Sequence, residues 1–159
     1  MNETAPDSRV QVLVDADACP VKDEIYKVAA RYKVAVIVVS NAIIRIPQSP
    51  HISRRIVSDA FDAADDWIAE NATPASVVVT ADILLADRCL KAGACVIAPN
   101  GKPFTTASIG GAIATRAIMA DLRAGGDVIG GPPPFSKQDR SRFLSALDET
   151  LTRLLRAQR

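Results

Sequence analysis

Six aspartates are the residues of this chain best supplied for chemistry. Asp15 and Asp17 close an apolar, mostly β-branched run over 10–14; Asp62, Asp65 and Asp66 recur at i, i+3 and i+4; and Asp82 stands just beyond the run Val77-Val78-Val79-Thr80. Carboxylates at i, i+3 and i+4 of a helix lie side by side. Carboxylates beyond the carboxyl ends of parallel strands sit where open α/β sheets bind ligands. Anions crowded in this way repel, and a divalent cation is the usual remedy. Hard cations held by such carboxylates activate water and stabilise the leaving oxygen of a phosphodiester. The chemistry expected is therefore Mg²⁺- or Mn²⁺-dependent hydrolysis. Asp15, Asp62, Asp65 and Asp82 are its main ligands, and Asp17 and Asp66 lie in the metal site as support. Each residue also has an ordinary structural role open to it: Asp62 and Asp82 as helix caps, Asp65 and Asp66 as a solvated face. Asp87, on a different helix face from Asp82, and Glu24 are weaker acidic candidates.

Cations that would hold a phosphate are found in loops. Asn41, Arg45, Gln48, His51, Arg54 and Arg55 line the stretch after the second expected strand, and Lys102 follows a later one. Both loops are expected to leave the acidic end of the sheet, as substrate-binding groups; a solvated loop is the plain alternative. Arg116, on a helix, is expected to support the acidic pocket or to pair with Asp121. His51 is the sole histidine, so a Ser-His-Asp or Cys-His mechanism is poorly supplied. Cys19 precedes an expected helix N-terminus, where a thiolate would be stabilised, but no base accompanies it. At 4% aromatic residues the chain offers little for a base-stacking platform, and Trp67 falls on an apolar helical stripe.

The elements that must position these groups alternate. Strands are predicted over 10–14, 35–40, 77–80 and 95–98, with a weaker one over 55–58. Helices are predicted over 20–32, with Pro20 at its first position, and over 60–70, 83–92, 109–123 and 136–159. Loops fill 41–50 and 99–108, and Gly130 to Pro134 reads as an extended connection. Ser136 and Asp139 resemble a capping pair for the last helix. Such alternation implies a mainly parallel sheet with helices on both faces.

With 159 residues, 48% of them hydrophobic, the chain suits one domain over 10–159, preceded by a flexible N-terminus over 1–9. A net charge of +1 gives no overall drive toward nucleic acid, so local patches must supply it. The three cysteines lack the spacing of a zinc site or disulfide framework. No apolar run approaches a membrane span, and residues 1–8 lack the apolar core of a secretory signal, so a cytoplasmic location is expected. The last helix is expected to pack across the domain or onto a second subunit, as in a homodimer.

The segments Asp15-Ala16-Asp17-Ala18-Cys19-Pro20, Asp62-Ala63-Ala64-Asp65-Asp66-Trp67-Ile68, Thr80-Ala81-Asp82-Ile83-Leu84-Leu85-Ala86 and Ala114-Thr115-Arg116 resemble the YaiI/YqxD family of uncharacterised bacterial proteins. The likeness runs from about Val12 to the final helix. That family is grouped with PIN-like domains, many of them metal-dependent ribonucleases. The resemblance implies a single-domain, PIN-like, three-layer α/β/α fold with a mainly parallel sheet and a C-terminal helix. It implies that Asp15 is the first-strand metal ligand, that Asp62 or a neighbour is the helix carboxylate, and that Asp82 is the carboxylate of a Thr-x-Asp element, with Asp87 a later acidic position. A metal-dependent nuclease acting on RNA is the reading that follows. Two others stand beside it. An apolar strand ending in Asp-x-Asp resembles haloacid-dehalogenase-like phosphatases, with Asp15 as nucleophile and Asp17 as acid/base. A PIN-like nucleic-acid-binding module would need the acids only for structure.

Overall fold

The computed structural model describes residues 9–17, 19–126 and 134–158. Its elements are β1 (Gln11–Asp15), α1 (Lys22–Tyr32), β2 (Ala35–Ser40), β3 (Ile52–Ile56), α2 (Ala63–Asn71), β4 (Ser76–Val79), α3 (Ile83–Lys91), β5 (Cys95–Ile97), β6 (Pro103–Phe104), α4 (Ile109–Ala124) and α5 (Lys137–Ala157). The expectations for residues 1–8 and for most of the 130–134 connection fall outside the described residues.

β1 is apolar throughout its middle because both its faces are covered. Val12, Leu13 and Val14 are all fully buried. Side chains alternate between faces along a strand, and two cores result. Val12 and Val14 join Val36, Val38, Val77 and Val79 beneath α1 and α5, with Phe143, Leu147 and Leu151 of α5 closing that core. Leu13, Val39, Val78 and Val96 face the other way, against Ile68 of α2, Leu85 and Cys89 of α3 and Ile109 of α4. The result is the expected three-layer α/β/α arrangement. α5 lies across its own chain, starting from a capping box between Ser136 and Asp139 and paired with α1 through Arg31 and Asp148.

The six strands run in the order β3-β2-β1-β4-β5-β6. All neighbours are parallel except β5 and β6. From β1 the chain builds outward in one direction through β2 and β3, then crosses back to build β4, β5 and β6 on the other side. The order therefore reverses between β1 and β4, and the crevice beyond their carboxyl ends is the topological switch point of the sheet.

Most element ends lie within two residues of the sequence reading, and three differences have a physical cause. α1 starts at Lys22, with Val21 at the capping position, so Pro20 lies in a preceding turn and not at the first helical position. α2 starts at Ala63, because Asp62 takes a left-handed conformation at φ 66° that ends any helical register before it. β3 covers Ile52–Ile56 and not 55–58. Its Ser53, Arg54 and Arg55 are exposed, as suits an edge strand whose charge deters further pairing. The short β6 lies within the stretch expected to be loop.

Gly101 fixes the approach of the β5–β6 turn to α5. Its φ is +89°, and an added Cβ would fall 2.6 Å from the carbonyl carbon of Arg142. Gly101→Ala is expected to cost about 2–3 kcal/mol, combining left-handed strain with displacement of α5. A lower denaturation midpoint at unchanged m-value checks this.

Candidate acidic site at the sheet switch point

Asp15 has the parity of Leu13, so its carboxyl group points to the face covered by α2 and α3. Thr80 follows β4 and is 2% exposed. Its hydroxyl donates to Oδ2 of Asp15 at 2.8 Å and accepts the backbone N–H of Asp82 at 3.0 Å. A hydroxyl has one proton to give, so this one is committed to Asp15 and its lone pairs serve Asp82. Asp82 then caps α3: its Oδ1 accepts the N–H groups of Leu84 at 2.9 Å and Leu85 at 3.1 Å. Asp65, half-buried in the first turn of α2, completes the group, coupled through charge to Asp82, Asp15 and Asp62.

Burial is the first cause that raises the Asp65 carboxyl to about 6; the charges of Asp82, Asp15 and Asp62 add to it. Asp15 is raised too, again by burial first. The Thr80 hydroxyl and the Asp17 backbone N–H oppose that rise, and the charges of Asp17 and Asp82 reinforce it. Among the described residues, neither carboxyl group has an ion-pair partner. Asp15, Asp65 and Asp82 thus form one electrostatic unit, with Asp17 and Asp62 exposed at its margin. Among the described residues, no group of three or more His, Cys, Asp or Glu side chains is placed to hold a metal ion.

Other expected site residues lie elsewhere. Asp66 turns away from the group into an ion pair with Arg88 at 2.9 Å, so the i, i+3, i+4 triplet does not share one face toward the site. Asp62 stands outside α2 and makes no side-chain cap. Asp87 pairs with Lys91 at 3.0 Å and Glu24 with Arg140 at 3.3 Å. Cys19 is buried, and that burial pushes its thiol up, against the expected stabilised thiolate.

The basic loop divides between the two ends of the sheet. Residues 41–51 run back along the α1 and α5 face, where Ile44 and Ile46 pack, because β3 is parallel to β2. His51 consequently gives its carbonyl to the N–H of Val36, at the amino end of β2 and opposite the acids. Arg45 and Gln48 lie on this returning stretch, and only Asn41 leaves directly from the acidic end. Arg54 faces the crossover, donating to the Ile44 carbonyl at 2.8 Å. Arg55 points to the acidic face, its guanidinium 5.7 Å from the Trp67 ring centre. Lys102 is exposed beyond the carboxyl end of β5, and Arg116 is exposed on α4 without an ion pair to Asp121. Thr80 and Arg88 were not among the expected site residues; the Thr-x-Asp spacing of a side-chain turn was the available signal for Thr80.

An open parallel sheet with carboxyl groups gathered at its switch point defines a three-layer α/β/α protein with an anionic site. The chain belongs to the YaiI/YqxD family: residues 13–153 match the family described as "Uncharacterized BCR, YaiI/YqxD family". It is 71% identical over 146 residues to a UPF0178 protein of Sphingopyxis alaskensis, covering 91% of this chain and 95% of that relative. It is 61% identical over 150 residues to one of Bradyrhizobium diazoefficiens, covering 94% of this chain and 90% of the other. A UPF0178 protein of Rhodopseudomonas palustris is 58% identical over 156 residues, 98% of this chain and 93% of its own length. No solved structure matches the chain. Among the described residues no helix is long and apolar enough to cross a membrane.

Two outcomes follow from the carboxyl group geometry. Asp65 has a folded pKa of about 6, above an unfolded value of about 3.9. The folded state therefore binds the extra proton, and stability falls as pH rises between those values. Asp65→Asn is expected to stabilise the protein by about 1 kcal/mol at neutral pH, a figure reduced for solvent screening, and the gain should vanish below about pH 4. Denaturation at both pH values checks it. Thr80→Val leaves the Asp82 N–H without its acceptor and should cost about 1–3 kcal/mol in the same measurement.

Proposed function

We propose that this protein is a PIN-like, metal-dependent phosphodiesterase that hydrolyses RNA, with Asp15, Asp65 and Asp82 as its catalytic carboxylates. One observation carries the reading: Asp15, Asp65 and Asp82, from separate elements, interact at the sheet switch point, Asp15 and Asp65 partly desolvated, and among the described residues none of the three has an ion-pair partner. Four aspartates away from this group, Asp66, Asp87, Asp139 and Asp148, each have a basic partner.

The donor set suits a hard cation. The lack of a three-ligand cage is compatible with Mg²⁺ or Mn²⁺, since Mg²⁺ is commonly held by one or two carboxylates, with water and substrate phosphate completing its shell. Asp65 and Asp82 would hold it, with Asp15 beside them. When bound, such an ion supplies positive charge to the phosphoryl oxygens and lowers the pKa of water. The chain's own residues do the rest. The α3 N–H groups and the Thr80 hydroxyl fix the orientations of Asp82 and Asp15. Asp65 holds a proton up to about pH 6 and releases it above that, so its ability to hold a cation should rise across the same range. Asp17 and Asp62 add negative potential at the margin.

The test is cleavage of a labelled RNA by purified protein with Mn²⁺ or Mg²⁺ and with chelator. Metal-dependent cleavage is expected, with Asp15→Asn and Asp82→Asn slowing it by about 100-fold or more. Asp66→Asn should stay within about twofold of the unsubstituted protein, because surface substitutions away from a site change little. Circular dichroism should show Asp15→Asn folded. If clean protein cleaves neither RNA nor DNA with either metal, the reading falls; an acyl-phosphate trapped on Asp15 would replace it with the phosphatase chemistry.

A further inference from the structure

Arg55 and Phe61 bracket the approach to the acidic group from the β3 side. Arg55 is in register with Val39, and Val39 with Asp15, so the three form one row across the sheet. Two strand spacings separate the backbones of Arg55 and Asp15, about 10 Å. Arg55 and Asp15 also share a face, because Arg55 lies over Trp67, which packs in the α2 and α3 core. Its charge is held by that ring and is not spent: among the described residues Arg55 has no carboxylate partner, whereas Arg31, Arg88, Arg140 and Arg142 each have one.

Phe61 lies in the connection from β3 to α2, immediately before Asp62. It is 92% exposed, a large aromatic face presented to solvent where burial would be ordinary. Stacking needs few aromatics if one stands at the right place, so the low aromatic content does not exclude it.

Resting on the phosphodiesterase reading, we propose that Arg55 grips a backbone phosphate and Phe61 stacks an unpaired base beside the acidic group, making the substrate a single-stranded RNA. The planar guanidinium, oriented by Trp67, presents its N–H edge for bidentate contact with phosphate oxygens. The Phe61 ring fits any unpaired base and no base locked in a duplex. The strand then crosses the carboxyl edge of β2 toward Asp15.

The test is metal-free binding, in chelator, of a fluorescent RNA of about 12 nucleotides, followed by anisotropy over a range of salt. Phe61→Ala is expected to weaken binding by about tenfold and Phe61→Trp to restore it. Arg55→Ala is expected to weaken binding by a similar factor and to reduce the slope of log affinity against log salt by about 0.7, while Arg55→Lys keeps the slope but not the full affinity. A duplex of the same sequence should bind more weakly than the single strand. Unchanged binding in both alanine variants, or a duplex bound as tightly, overturns the assignment even if the protein cleaves RNA. Binding that depends on both residues in a protein that never cleaves supports it, and sinks the catalytic reading alone.

Discussion

The hydroxyl proton of Thr80 is the smallest part of this fold on which the most depends. It joins the ends of two parallel strands that the chain reaches 65 residues apart. The proton goes to Asp15 and the oxygen receives Asp82, so one buried side chain sets the positions of two acids and the start of α3. A desolvated carboxylate at the end of β1 would be costly without such a donor, because burial penalises its charged form. Thr80 reduces that penalty without removing it, and the Asp15 carboxyl remains raised.

Elsewhere the same charge is handled cheaply. Asp148 holds α1 to α5 through Arg31 and Tyr32, Asp139 completes a capping box, and Asp66 and Asp87 meet cations on the surface. At the switch point mutual repulsion is left standing, and the charges of neighbouring aspartates help to raise both Asp15 and Asp65. A site of repelling carboxyl groups favours whatever brings positive charge, and the fold carries the cost through the two buried cores beneath it.

The layers and their order were legible in the sequence. Runs such as Val12 to Val14 and Val77 to Val79 are apolar without alternation, which marks strands covered on both sides. Helical spacing and the Ser136 and Asp139 pair located α5 because those signals are local. The site was legible in part: Asp15 and Asp82 are placed by the strands they follow. Asp62 and Asp66 were harder, since a single left-handed residue displaced the start of α2 and Arg88, 22 residues downstream of Asp66, took that carboxylate. The basic loop misled for a topological reason. A parallel β2–β3 pair joined without a helix sends its connection back down the sheet, carrying His51 to the far end.

By itself the sequence determined the helices and the four inner strands, that the sheet is mainly parallel, and that acids follow its central strands. These depend on side-chain periodicity and β-branching within a few residues. Only the tertiary structure decided which acids share a site, which are neutralised, and that Arg55 on β3 faces them beside Trp67. Those outcomes turn on strand register and crossover direction, and they are set by contacts between residues that no local pattern connects.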